Sequence, residues 1–122
     1  MPLRCLIVDD SPAFLEAARV LLERQGVAVV GLVSTGAEAV EQAVNLRPDV
    51  TLVDIDLGGE SGFDLARRLH AEADSAASTV ILISSHAEED FTELIAASPA
   101  RGFLSKVALS ARAIRDLLGS DA

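Results

Sequence analysis

Side chains suited to cations and phosphoryl groups stand where short apolar runs end. Asp54 closes the run Asp49-Val50-Thr51-Leu52-Val53-Asp54. Leu6-Ile7-Val8 leads into Asp9-Asp10, Val80-Ile81-Leu82-Ile83 into Ser84-Ser85, and Gly102-Phe103-Leu104 into Ser105-Lys106. A further run, residues 27–33, ends without such a group. If these runs are strands of an open parallel sheet, their carboxyl ends share one crevice, and ligands bind there. Three carboxylates, a hydroxyl and an ammonium in that crevice would make a divalent-cation and phosphoryl site.

Such a gathering requires the chain to return to the same edge after every strand. Residues 3–8 are nearly continuous apolar, as in a central strand covered on both faces. Ser11 as N-cap and Pro12 in the first turn announce a helix carrying Phe14, Ala17, Ala18, Leu21 and Leu22, and Gly26 ends it. After the second strand, Thr35-Gly36-Ala37-Glu38 fits a capping box for a helix running to about residue 46, which Pro48 stops. Ile55 to Gly62 reads as a loop with three glycines, and Ser61 as the cap of a helix holding Phe63, Leu65, Ala66 and Leu69. A polar segment around Asp74-Ser75 precedes the fourth strand. Ser85-His86-Ala87-Glu88 fits another capping box, for a helix with Phe91, Leu94 and Ile95 that stops before Pro99. Ser110 caps a last helix with Ile114, Leu117 and Leu118, closed by Gly119. Five strands alternating with five helices predict right-handed crossovers and a parallel sheet covered on both faces.

The 122 residues suit a single domain spanning 1–122, with no internal repeat or linker. Tyr and Trp are absent and Phe occurs four times, so aliphatic side chains must build the core. A net charge of −9 argues against direct binding to nucleic acid or anionic membrane, both of which need cationic neutralisation of phosphate. The only cysteine, Cys5, lies inside the first strand and reads as a buried, inert thiol. No signal-peptide pattern or membrane-length apolar run occurs, and a cytoplasmic location is expected.

The acidic pair Asp9-Asp10, the lone Asp54, Ser84 and Lys106, each at a strand end and in this order, resemble the receiver domain of two-component response regulators. Leu57 and Gly62 after Asp54, and Phe103 three residues before Lys106, extend the resemblance, which spans residues 3–118. It implies a flavodoxin-like α/β fold, a (βα)5 three-layer sandwich with parallel strand order 2-1-3-4-5. It also implies that Asp54 accepts a phosphoryl group from a sensor histidine kinase. Mg²⁺ would be held by Asp10 directly, by Asp9 through water, by Asp54, and by the backbone carbonyl of Asp56. Lys106 and Ser84 would contact the phosphoryl oxygens, and Ser84 and Phe103 would carry the switch. The output would be a changed surface on the fourth helix, fifth strand and fifth helix. That surface would serve a downstream protein, an effector domain beyond the chain, or a homodimer.

Some positions depart from the family's commonest pattern. Gly58 stands where proline is usual and should loosen the loop, and Val107 replaces a proline that often follows the lysine. Asp56 and His86 occupy positions that tune phosphoryl lifetime; the Asp56 carboxylate could orient a water or repel one. His86 reads more simply as a solvated residue near a helix start, and His70 as surface. Phe103 could equally be core, and Ser85 could exchange roles with Ser84. Two rival functions remain open at this level. One is a receiver-like scaffold that binds partners without phosphorylation. The other is a small Mg-dependent phosphatase built on Asp54-Ile55-Asp56, although in the phosphatases that this motif resembles it ends the first strand and the chain is much longer.

Overall fold

The computed structural model describes residues 2–72, 79–86 and 88–119. The polar segment around Asp74-Ser75 lies outside them, as does Ala87. The elements are β1 (Arg4–Val8), α1 (Pro12–Arg24), β2 (Ala28–Val33), α2 (Gly36–Leu46), β3 (Val50–Asp54), α3 (Gly62–Glu72), β4 (Val80–Ser84), α4 (Thr92–Ala96), β5 (Gly102–Ser105) and α5 (Ala111–Leu117). One-turn 3₁₀ segments, Glu88–Phe91 and Lys106–Ala108, lead into α4 and follow β5.

All strand pairs are parallel, in the order β2-β1-β3-β4-β5. Period-2 alternation sorts the strand side chains into two cores. Leu6, Val8 and Val53 pack on one side with Ala39 and Ala43 of α2 and Leu65, Ala66 and Leu69 of α3. Cys5, Ile7, Leu52, Ile81 and Ile83 pack on the other side with Leu15, Ala18 and Leu22 of α1 and Ile114 of α5. The result is the three-layer sandwich that the alternation predicted. The inner strands β3 and β4 are buried throughout, as their unbroken apolar runs require, whereas β2 and β5 at the edges are partly open.

The helix starts follow from local chemistry. The hydroxyls of Ser11, Thr35 and Ser110 accept from the N–H groups of Phe14, Glu38 and Ala113, each satisfying an otherwise unpaired first-turn donor. The Ser61 hydroxyl accepts from Phe63 N at 3.2 Å and Asp64 N at 3.4 Å. The fourth helix departs from expectation. It begins only at Thr92, with no side-chain cap at Phe91, and it is the 3₁₀ turn that occupies Glu88–Phe91. The serine that acts in this connection is Ser84, whose hydroxyl accepts from His86 N at 2.9 Å. In α1, Ala17 and Leu21 face solvent, and Leu15 takes their place in the core.

Candidate functional site

Strand register brings the chemistry together. Val8 pairs with Val53, so Asp9 and Asp54 follow on neighbouring strands at the same edge. Asp54 pairs with Ile83, and Ser84 with Ser105, which places Ser84 and Lys106 one step beyond on β4 and after β5. Asp9, Asp54 and Ser84 are all buried, in contrast to the exposed Asp10. Oxygens of Asp9, Asp10 and Asp54 lie within 4.8 Å of one another. The structure therefore gathers the sequence-predicted Asp9, Asp10 and Asp54 at one rim.

Lys106 is the counter-charge. Its Nζ lies 2.6 Å from Asp9 Oδ2 and 3.1 Å from Asp54 Oδ2, with the lysine side chain only 18 % exposed. Asp9 Oδ1 accepts from Ser11 N at 2.8 Å, but Oδ2, although ion-paired, has no aligned hydrogen-bond donor. Burial raises the Asp54 carboxyl above the usual carboxylate range; the Asp56 N–H and the Lys106 ammonium oppose that rise, and the Asp9 charge adds to it. Burial pulls Lys106 down, yet its contacts with Asp9 and Asp54 win and hold it above the ordinary lysine value.

Phe14, read from the sequence as a core position of α1, has a second role. The Lys106 ammonium sits 4.3 Å from the centre of its ring, a cation–π contact that helps fix the lysine over the acidic rim. Nothing in helical periodicity distinguishes such a ring from a core residue.

The Asp56 carboxylate does not join the cluster. Its Oδ1 accepts from Gly58 N at 3.2 Å, and its own N–H donates to Asp54 Oδ1 at 3.1 Å. Gly58 has φ +77°, so the residue standing where proline is usual adopts a backbone that proline cannot reach. The base of the loop is closed by its own backbone bonds: Leu57 N donates to Glu60 O and Gly62 N to Ile55 O. No cis peptide bond occurs among the described residues, so Lys106–Val107 is trans, and Val107 stands 95 % exposed. Phe103 is buried, its ring 6.5 Å from that of Phe91, which in turn lies 6.2 Å from Phe63 and from the exposed His86. His70 is exposed on α3. A hollow of about 460 Å³ is lined by residues 89–94, none of them a member of this rim.

The donor set fits Mg²⁺. Three carboxylates with oxygens within 4.8 Å of one another supply the ligands a hard cation requires, and among the described residues the buried Asp9 Oδ2 is met only by the Lys106 ammonium. A doubly wound sheet with an acidic rim at its carboxyl edge, faced by a lysine, defines the class: a flavodoxin-like receiver fold. Comparison with known proteins gives the family directly. Residues 5–118 match the response regulator receiver domain, and the chain belongs to that family. It is 34% identical over 103 residues to protein PilH of Pseudomonas aeruginosa, covering 84% of each chain. It is 27% identical to the DNA-binding transcriptional activator EvgA of Escherichia coli K12, covering 85% of this chain and 50% of EvgA, so it spans half the length of that relative. Among solved structures, the signal receiver domain of NarL from Mycobacterium tuberculosis superposes with a TM-score of 0.81 at 29% identity, covering 97% of this chain and 94% of that one. The response regulator domain of Thermotoga maritima CheB gives 0.81 at 26% identity over the whole of both chains. The fold and the two-component receiver class are thus those that the sequence implied. No helix among the described residues is long and apolar enough to cross a membrane.

Proposed function

We propose that residues 1–122 form one receiver unit that accepts a phosphoryl group on Asp54 from a sensor histidine kinase. The observation that carries this reading is the Lys106 ammonium held between Asp9 and Asp54, with Asp10 alongside. An Asp54 carboxylate oxygen attacks phosphorus, the phosphorus–nitrogen bond to the donor histidine breaks, and its electron pair returns to the imidazole. Lys106 stabilises the charge spread over the transferring oxygens, and the Ser84 hydroxyl donates to one of them. Asp10, Asp54 and the Asp56 carbonyl would hold Mg²⁺ directly, and Asp9 through water. When bound, the cation neutralises the developing charge on the phosphoryl group.

Signal output follows from what Asp54 gains. The new phosphoryl oxygens accept from the Ser84 O–H and draw Ser84 toward Asp54, pulling on the bond by which the Ser84 oxygen accepts from His86 N and closes the β4 connection. Withdrawing Ser84 shifts that connection against the Phe91–Phe103 pair, so Phe103 acts by packing and the α4-β5-α5 face changes. That face would meet a downstream protein, an effector domain or a second copy of the chain. The net charge of −9 supports a protein partner over direct contact with nucleic acid or membrane. The test is intact-mass measurement after incubation with acetyl phosphate and Mg²⁺. One phosphoryl adduct on the native chain and none on Asp54→Asn supports the reading. No adduct on the native chain supports the constitutive scaffold, and sustained turnover of small phosphomonoesters would support the phosphatase.

A further inference from the structure

We propose that Glu60 is a positioning residue for the cation: its carboxylate fastens the 55–61 loop to the start of α2 and thereby holds the Asp56 carbonyl at the acidic rim. The inference rests on the metal-binding reading above. It starts from the loop's own bonding. Asp56 and Ser61 face each other across an antiparallel bridge, flanked by the hydrogen bonds from Leu57 N to Glu60 O (3.0 Å) and from Gly62 N to Ile55 O (2.9 Å). This pattern leaves the Asp56 carbonyl without a hydrogen-bond donor among the described residues. It is thus free for a cation, but only while the loop stays in place. Gly58 and Gly59 give the tip slack, and a Cβ at Gly59 would meet nothing within 4 Å.

Ile55 and Leu57 bury the start of this loop in the core, and Ile55 N donates to Ile83 O; the far side of the loop is tied to α2 by the Glu60 side chain. Its Oε1 accepts from Gly36 N at 2.7 Å, across 24 residues of sequence. The division of labour at α2 makes room for it. Thr35, the N-cap, serves the Glu38 N–H, and the Gly36 N–H is left for an outside acceptor. Gly36 is also shaped for the contact: a Cβ there would stand 2.3 Å from Glu60 Oε2 and 3.1 Å from its Cδ. Helix polarity favours a carboxylate at this end. Glu60 thus links a helix packed in the core to the loop that follows the phosphoryl-accepting strand.

The experiment is a Mg²⁺ titration of the full chain followed by amide chemical shifts, for the native protein and three variants. Glu60→Ala raises the Mg²⁺ dissociation constant about tenfold, the scale typical of groups that orient metal ligands. Gly36→Ala leaves Glu60 chemically intact but fills its seat, and raises the constant similarly. Glu60→Gln, whose amide oxygen still accepts from Gly36, keeps the native affinity. Gly36→Ala tests the idea even if Glu60→Ala fails to fold, because alanine is the better helix residue. Native affinity in both Glu60→Ala and Gly36→Ala overturns the proposal while leaving the metal reading intact. Equal weakening by Glu60→Gln and Glu60→Ala also overturns it, because charge and not anchoring would then be at work. A native chain that shows no Mg²⁺ response overturns the metal reading and this inference with it.

Discussion

Replacing Lys106 by methionine keeps most of the stem beside Phe14 and deletes the ammonium that compensates Asp9 and Asp54. Asp9 is completely buried, and its Oδ2 has charge compensation from Lys106 but no aligned donor. Removing one partner of a buried ion pair costs about 3–5 kcal/mol. The lysine side chain is 18 % exposed, so solvent screening brings the expected loss to roughly 2–3 kcal/mol. Unfolding entropy scales with chain length, and for 122 residues that loss lowers Tm by roughly 8–12 °C in metal-free buffer. Adding Mg²⁺ should recover more stability in Lys106→Met than in the native chain, because no ammonium competes for the same oxygens. Thermal melts followed by circular dichroism, with and without Mg²⁺, measure both effects. An unchanged Tm without metal, together with an equal Mg²⁺ increment in the two proteins, would refute the electrostatic account of the site.

Thr51, fully buried in β3, has a hydroxyl without a hydrogen-bond partner, so Thr51→Val should raise stability by about 1 kcal/mol in denaturant unfolding. Burial pushes the Cys5 thiol up to about 12, so it should resist thiol reagents at pH 8 until the chain unfolds. The folded-state value lies above the unfolded 9.0, so this stabilising contribution is intact below about pH 9 and lost as pH rises toward 12; Cys5→Ala should flatten that part of the pH–stability curve. At Gly62 a Cβ would stand 2.1 Å from the Asp54 carbonyl oxygen and 2.6 Å from Ile55 Cα, both backbone atoms. Gly62→Ala should therefore cost about 3 kcal/mol or more, whereas Gly59→Ala should be near neutral.

The parallel sheet and its acidic rim were legible because they rest on short-range rules. Apolar runs as continuous as those before Asp54 and Ser84 suit only strands buried on both faces, and in a doubly wound sheet reactive groups just past such runs share an edge. Asp9, Asp10 and Asp54 meet for that reason, and Lys106 faces Asp9 and Asp54 at the same edge. The caps at Ser11, Thr35, Ser61 and Ser110 were equally local. Pairings across the chain were not. Phe14 under Lys106 and Glu60 on Gly36 join residues far apart in sequence, and neither helical spacing nor turn chemistry specifies them. The α1 face was misjudged because alanine reports little about burial: Ala17 and Leu21 fit the helical period yet point outward, and Leu15 packs instead. At α4, the serine expected as a cap is displaced by a 3₁₀ turn.

The most direct test is a crystal structure of the full chain with Mg²⁺ and beryllium fluoride, which mimics a phosphoryl group. The account predicts beryllium bonded to an Asp54 oxygen, fluorines contacted by Lys106 Nζ and Ser84 Oγ, and the metal held by Asp10, Asp54 and the Asp56 carbonyl. A rim with neither metal nor fluoride, and with Lys106 still between Asp9 and Asp54, would contradict it.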